Sequence, residues 1–287
     1  MLDFITRLVF GNYSDHGLIM KIFGVNINQT ESGFSIDFGS EYTVIWMLLT
    51  VLGWMIVSYL IGSINFSLVI SKLAFKDDIR KYGSQNAGTT NMGRIYGKKI
   101  GAMTLLGDVG KGLVSVLIAR VMLGDSAAHL CGLCCMLGHC FPIYYRFKGG
   151  KGVATAAAVI FAMNPISGII ILSIFLIVAI GMHYVSLGSI MGALFYPLVQ
   201  RGITKVFTGF SPTPLMSISA IAMALLLIAR HHSNIKRLLE GSERKFYISK
   251  LFKKKEETVE VAVEETEEAK APRSLHTIDA DDEDGEN

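Results

Sequence analysis

The sequence predicts an all-α fold, a polytopic membrane bundle of seven transmembrane helices with the N-terminus outside and the C-terminus cytoplasmic. Three observations carry this. First, 51% of the 287 residues are hydrophobic and only 18% are charged, and several apolar runs approach the ~20 residues that cross a bilayer. Second, the loops after spans one, three and five, together with residues 230–255, hold 18 Lys/Arg, whereas the loops after spans two, four and six hold 2, Arg201 and Lys205. Cytoplasmic loops carry such an excess of positive charge. Third, the net charge of +3 conceals an asymmetry: residues 256–287 contain 13 Asp/Glu against Lys270 and Arg273, which leaves residues 1–255 at +14. A basic body suits an anionic membrane surface and phosphorylated ligands. Nucleic acid is disfavoured, because the bases fall in short loops between spans.

Residues 1–41 read as an N-terminal extension. Met1–Phe10 is amphipathic and lacks the long apolar run and cleavage site of a signal peptide. The membrane domain spans residues 42–255. Its first span starts near Tyr42 and continues past Gly62-Ser63 to about Leu73, longer than the bilayer is thick, so a tilt, a kink or a protruding end is expected. Residues 76–100 form a polar loop. The second span covers about 101–123 and the third about 127–146, with GDSA between them. Two shorter spans, about 152–163 and 166–183, flank a turn at Asn164-Pro165, and YVSLGS at 184–189 reads as a further turn. The sixth span covers about 189–200, a loop follows over 201–213, and the seventh covers about 214–229. The fourth and sixth are short enough that a five-span count stays open; either count puts the basic loops on one side. Residues 256–287 read as an acidic, disordered cytoplasmic tail.

The unusual polar sequence lies on that basic side. FKGGKGVAT (147–155) sets three glycines and two lysines between apolar segments. Glycine-rich backbone leading into a helix can cradle an anion, but Tyr145 and Gly152 break the Walker A spacing. The plainer alternative is a basic turn at the membrane face. GSQNAGTTNMGR (83–94) packs amide, hydroxyl and guanidinium donors into a glycine-rich stretch, with less Lys and Glu than a merely solvated loop. Asp108 and Lys111 can pair at i,i+3 inside the second span, either as a functional intramembrane pair or as a structural one. His231 and Asn234, also i,i+3, sit among Arg230, Lys236 and Arg237. These cations should lower the histidine's pKa and keep it a neutral base. Cys131, Cys134, Cys135 and Cys140 share one apolar segment without a second Cys/His cluster, which favours packing over a metal site. No metal or diffusible cofactor is indicated.

Taken together, GSINF (62–66), GSQNAGTTN with Arg94, GKK with GDVGKG (97–112), LGHCFPIYYRFKGGKGVATA, VSLGSI (185–190) and RHHSNIKRLLEGSE resemble the bacterial acyl-phosphate:glycerol-3-phosphate acyltransferase family, in the family's order and over about residues 43–246. The resemblance implies a bacterial cell-membrane enzyme with its site on the cytoplasmic face. Its substrates would be acyl phosphate and glycerol 3-phosphate, amid membrane lipid, and its product lysophosphatidic acid. Matching positions imply that Ser84, Asn86, Arg94, Lys151, His231 and Asn234 carry the reaction. Thr90, Asn91, Gly149, Gly150, Gly152, Ser186 and Ser189 would bind substrate. Two positions depart from the family pattern: Gln85 stands where glycine is usual and Asn65 where proline is common. The HxxxxD spacing at His276–Asp281, used by another class of glycerolipid acyltransferases, falls in the acidic tail and reads as coincidence. The rival reading is an organic-phosphate transporter, which predicts inverted repeats and polar residues at mid-membrane; no internal repeat is visible, and the polar blocks cluster on one face.

Overall fold

A computed structural model describes residues 26–30, 33–37, 41–209 and 211–247. The chain divides into two compact units, Met1–Lys245 and Phe246–Asn287, and only Phe246 and Tyr247 of the second are among the described residues. The acidic tail, with His276 and Asp281, therefore lies outside them, as does most of the N-terminal extension.

The body is helical, as the sequence predicts. Its helices are α1 (Glu41–Ser63), α2 (Phe66–Phe75), α3 (Thr89–Ile95), α4 (Lys98–Leu123), α5 (Asp125–Cys140), α6 (Val153–Met163), α7 (Pro165–Gly181), α8 (Val185–Thr208), α9 (Pro214–Arg230) and α10 (His232–Leu239). The extension adds an antiparallel hairpin of β1 (Asn26–Thr30) and β2 (Gly33–Asp37), with Asn28 opposite Ser35. By length and apolarity, Ile45–Ser63, Lys98–Leu123 and Asp125–Tyr145 can each cross a membrane, and α9 with α10 forms a fourth candidate bent by 57°. Leu106, Val121, Ile177 and Leu198 stay exposed on the outside of the bundle, where a soluble protein would bury them.

α5 is the central helix and packs on α1, α4, α6 and α9. Its contact with α1 brings backbone onto backbone. A Cβ on Gly62 would fall 2.0 Å from the Cys135 carbonyl oxygen, and one on Gly138 would fall 2.2 Å from that of Tyr59. Small residues permit this approach, and in lipid such packing replaces the hydrophobic effect as the driving force. Cys131, Cys135 and Cys140 are buried in the same region.

The overlong first span breaks at Ile64–Asn65. Asn65, standing in place of proline, caps α2: its side-chain oxygen accepts from the Leu68 amide at 3.2 Å. Its amide group also donates to the Ala87 carbonyl at 3.4 Å, anchoring the polar loop from below. A buried ionic cluster holds the break. Lys111 Nζ lies 2.8 Å from Asp108 Oδ1, 2.8 Å from the Ile64 carbonyl and 2.9 Å from His139 Nδ1. The Asp108–Lys111 pair thus has a third member on α5. Buried charges are tolerated where their hydrogen bonds are met in this way.

Three boundaries differ from the sequence reading. The polar loop 76–100 contains α3 and the start of α4. α8 begins at Val185, so 185–189 is its first turns rather than a separate turn. α8 also runs on through 201–208, which the sequence assigns to a loop, and passes over Pro197. The turn at Asn164-Pro165 is as expected: Asn164 caps α7 by accepting from the Ser167 amide at 2.9 Å, with Pro165 in the first helical turn.

Candidate active site

The loop before α3 folds around Asn91. Its side-chain oxygen accepts from the Ser84 amide at 3.0 Å, and its amide group donates to the carbonyls of Tyr82 at 3.0 Å and Ile79 at 3.3 Å. Gly83 is in the left-handed region at φ 62, where a Cβ would also strike the Asn91 oxygen. Gln85 adopts φ 58, so it occupies backbone space in which glycine is the easier residue. Asn91 is buried, and its polar atoms are spent on the loop itself. Ser84, Thr90 and Arg94 are exposed and Asn86 is half-buried, so these form the accessible rim.

The glycine-lysine loop follows α5 through Arg146 and Phe147, both at φ 57. Arg80 braces it against the first loop: its guanidinium pairs with Asp78 at 2.6 Å and donates to the carbonyls of Lys148 at 2.9 Å and Tyr145 at 3.2 Å. The amides of Gly149 and Gly150 donate to the Cys140 and His139 carbonyls, each at 3.2 Å. Their carbonyls accept from Arg230 at 3.3 and 3.1 Å. These two glycines therefore offer no free amide to a ligand, and their role is close packing: a Cβ on Gly150 would lie 2.3 Å from His139 Nε2 and 2.6 Å from the Ala87 oxygen. The donors on this wall are Lys151 and the first-turn amides of α6, which begins just after Gly152 at φ 82.

Lys151 connects the blocks. Its ammonium donates to Asn234 Oδ1. Asn234 in turn donates to Glu243 Oε1 at 2.7 Å, Ser186 donates to the same oxygen at 2.7 Å, and Arg237 Nε donates to Oε2 at 2.7 Å. Ser189 turns away and donates to Val185 of its own helix at 3.0 Å. Burial lowers Lys151 to about 8; Glu243 opposes this, while Arg237 and Arg230 add to it. Burial acts to raise Glu243, but hydrogen bonds from Asn234, Ser186 and Arg237 outweigh it and hold the carboxyl below its ordinary value. Partial burial and Arg244 press down on the Arg94 guanidinium while Glu243 acts in the opposite sense, which puts the first polar loop within electrostatic reach of residues 243–244.

His231 sits in the elbow after α9. Its Nδ1 lies 2.8 Å from the Leu227 carbonyl. A carbonyl only accepts, so Nδ1 carries the proton and Nε2 holds a lone pair. Burial pushes His231 down to about 4, and Lys151 contributes.

Glu243 was not singled out by sequence reasoning, although RHHSNIKRLLEGSE ends on it. Among the described residues no group of three or more His, Cys, Asp or Glu is placed to hold a metal ion.

The arrangement is a half-buried ammonium, a guanidinium and several hydroxyl and amide donors, drawn from four separated stretches. It can bind phosphate oxygens and orient a hydroxyl beside them.

Comparison with known proteins agrees. Residues 52–241 match the family model described as glycerol-3-phosphate acyltransferase. The glycerol-3-phosphate acyltransferase of Finegoldia magna is 42% identical over 200 residues, 70% of this chain and 97% of that protein. That of Neisseria meningitidis serogroup B is 43% identical over 194 residues, 66% and 94% of the two chains. Among solved structures, PlsY (YgiH), an integral membrane glycerol 3-phosphate acyltransferase in its glycerol 3-phosphate form, superposes with a TM-score of 0.63 at 38% identity, covering 71% of this chain and 99% of that one. The lysophosphatidic acid form gives 0.60. The chain belongs to the glycerol-3-phosphate acyltransferase family.

Proposed function

We propose that this protein transfers a fatty acyl group from acyl phosphate to the sn-1 hydroxyl of glycerol 3-phosphate, giving 1-acyl-glycerol 3-phosphate and inorganic phosphate. The observation that carries this is the Lys151–Asn234–Glu243–Ser186 chain, with Arg94 within electrostatic reach of Glu243. It gathers cationic and neutral donors on one face, as a site for two phosphate-bearing substrates requires.

An acyl phosphate is already activated, because its leaving group is a stable phosphate. The C1 hydroxyl attacks the acyl carbonyl, the new C–O ester bond forms, and the C–O bond to phosphate breaks. No covalent enzyme intermediate is needed, so the enzyme acts by placing two anions side by side. Lys151 and Arg94 bind phosphate, and Lys151 with the α6 amides opposes charge developing on the carbonyl oxygen. Ser84, Asn86 and Thr90 position the hydroxyl, and Asn91 and the three glycines shape the loops that carry them. Ser186 and Asn234 hold Glu243, which fixes Lys151. A base at about 4 is poorly matched to neutral pH. The phosphate expelled from an acyl phosphate dianion is a trianion, a far stronger base. The departing phosphate therefore takes the hydroxyl proton, while His231 offers its Nε2 as an acceptor that orients the substrate.

The membrane domain, residues 42–255, crosses seven times through α1 and α4 to α9, with α2, α3 and α10 at the cytoplasmic surface. The 1–41 extension lies outside and the 256–287 tail inside. The 18-to-2 division of Lys/Arg supports this orientation. The test is purified protein supplied with glycerol 3-phosphate and one acyl donor at a time. Lysophosphatidic acid should form from acyl phosphate; formation only from acyl-CoA or acyl carrier protein would overturn the donor.

A further inference from the structure

The end of the bundle remote from Lys151 contains a second polar site. Gln200 and Thr204 lie 11 and 15 residues beyond Ser189 on α8, about 16 and 22 Å along the helix axis. There α4 to α9 together line a cavity of about 140 Å³, whose walls include His129, Ser167, Tyr196, Gln200 and Thr204.

Nine buried side-chain polar atoms among the described residues have no protein hydrogen-bond partner, and four of them belong to this cavity: His129 Nε2, Ser167 Oγ, Tyr196 Oη and Gln200 Nε2. The first three residues are 2% exposed and Gln200 is 5% exposed. Buried polar groups normally find partners, and a cluster of four on one cavity points to a ligand that supplies them.

The chemistry of that ligand follows from the lining. His129 Nδ1 lies 2.9 Å from the Asp125 carbonyl, which only accepts, so Nε2 presents a lone pair. Gln200 Nε2 offers a donor, and the Tyr196 and Ser167 hydroxyls each offer both. The charges at the rim are matched, with Arg120 Nε 2.7 Å from Asp125 Oδ1 and Nη1 donating to the Ala162 carbonyl at 3.2 Å. A phosphate or an ammonium would therefore enter without a counter-ion. The volume equals that of roughly four or five waters. One molecule with several fixed hydroxyls can meet these atoms while being ordered once, whereas each separate water is ordered on its own.

We propose that this cavity is a binding site for a small neutral polyol of about glycerol size, independent of the acyl-transfer site. The test uses the full chain in lipid nanodiscs, free of glycerol and sugar detergent, with glycerol as the probe in saturation-transfer NMR. Saturable binding of millimolar order is expected, unchanged by saturating glycerol 3-phosphate. Binding should be at least tenfold weaker in Gln200→Leu and in the more conservative Ser167→Ala, with acyl transfer retained in each. Should Gln200→Leu fail to fold, Ser167→Ala and Tyr196→Phe decide. No saturable signal in the wild type would mean that the cavity takes water only, and would overturn the proposal. So would a signal displaced by glycerol 3-phosphate, or one unchanged in every folded variant.

Discussion

Lys151→Met keeps the length of the side chain and removes its charge. In the wild type this ammonium is half-buried, bonded to Asn234, and lowered to about 8 by burial. A charge-assisted hydrogen bond to phosphate is worth about 1.5–3 kcal/mol, and Asn234 loses its donor at a further cost of about 1 kcal/mol. At ~1.36 kcal/mol per factor of ten, kcat/KM should fall by about 10²–10³-fold. The pH profile gives a second readout. A lysine depressed from 10.5 to about 8 is charged below that pH and neutral above it. Productive phosphate binding in the free enzyme should therefore decline as pH rises through about 8, by roughly tenfold per unit. Arginine stays charged throughout. Lys151→Arg should lower the plateau and carry the alkaline limb beyond the measurable range. Initial rates between pH 6 and 10, at subsaturating glycerol 3-phosphate, measure both effects. A Lys151→Met enzyme within threefold of wild type, or an alkaline limb near 8 that persists in Lys151→Arg, would refute the assignment.

Other expectations concern the scaffold beneath the site. Gln85→Gly should keep or raise the unfolding midpoint with activity intact, whereas Gln85→Val, β-branched at φ 58, should cost at least about 1 kcal/mol and displace Ser84; thermal denaturation and turnover measure these. Glu243→Gln replaces an oxygen that accepts from Asn234 and Ser186 and leaves Arg237 without its carboxylate. It should lower stability by about 2 kcal/mol and raise KM for glycerol 3-phosphate, and an unchanged KM would detach Glu243 from the site. Gly150→Ala sets a methyl against His139 Nε2 and the Ala87 oxygen. The expected cost is about 1–3 kcal/mol of overpacking, read as a lower unfolding midpoint, with lost activity.

The apolar helices were legible because long apolar runs are a strong signal, and Asn164-Pro165 was legible because a capping side chain and a proline coincide there. Residues 201–208 read as a loop because Arg201, Thr204 and Lys205 are polar, yet α8 continues through them, and Thr204 with Gln200 lines an internal cavity. α3 was missed because seven residues are too few to show a helical period. In β1 and β2, five residues each leave the strand period equally faint. The motif blocks were legible, but the division of labour within them was not. Gly149 and Gly150 suggested a phosphate cradle, whereas their amides are committed to Cys140 and His139. Glu243 closes a basic stretch that also carries Glu240, with nothing in the sequence to set it apart, and only the fold shows it accepting from three side chains.

Direct transfer from an acyl phosphate has a pre-steady-state signature that rapid-quench kinetics resolve. With acyl phosphate alone, no burst of phosphate should appear. On adding glycerol 3-phosphate, phosphate and lysophosphatidic acid should rise together, one for one, with no acylated protein detectable by mass spectrometry. A burst of phosphate equal to the enzyme concentration in the absence of glycerol 3-phosphate, accompanied by an acylated chain, would contradict it.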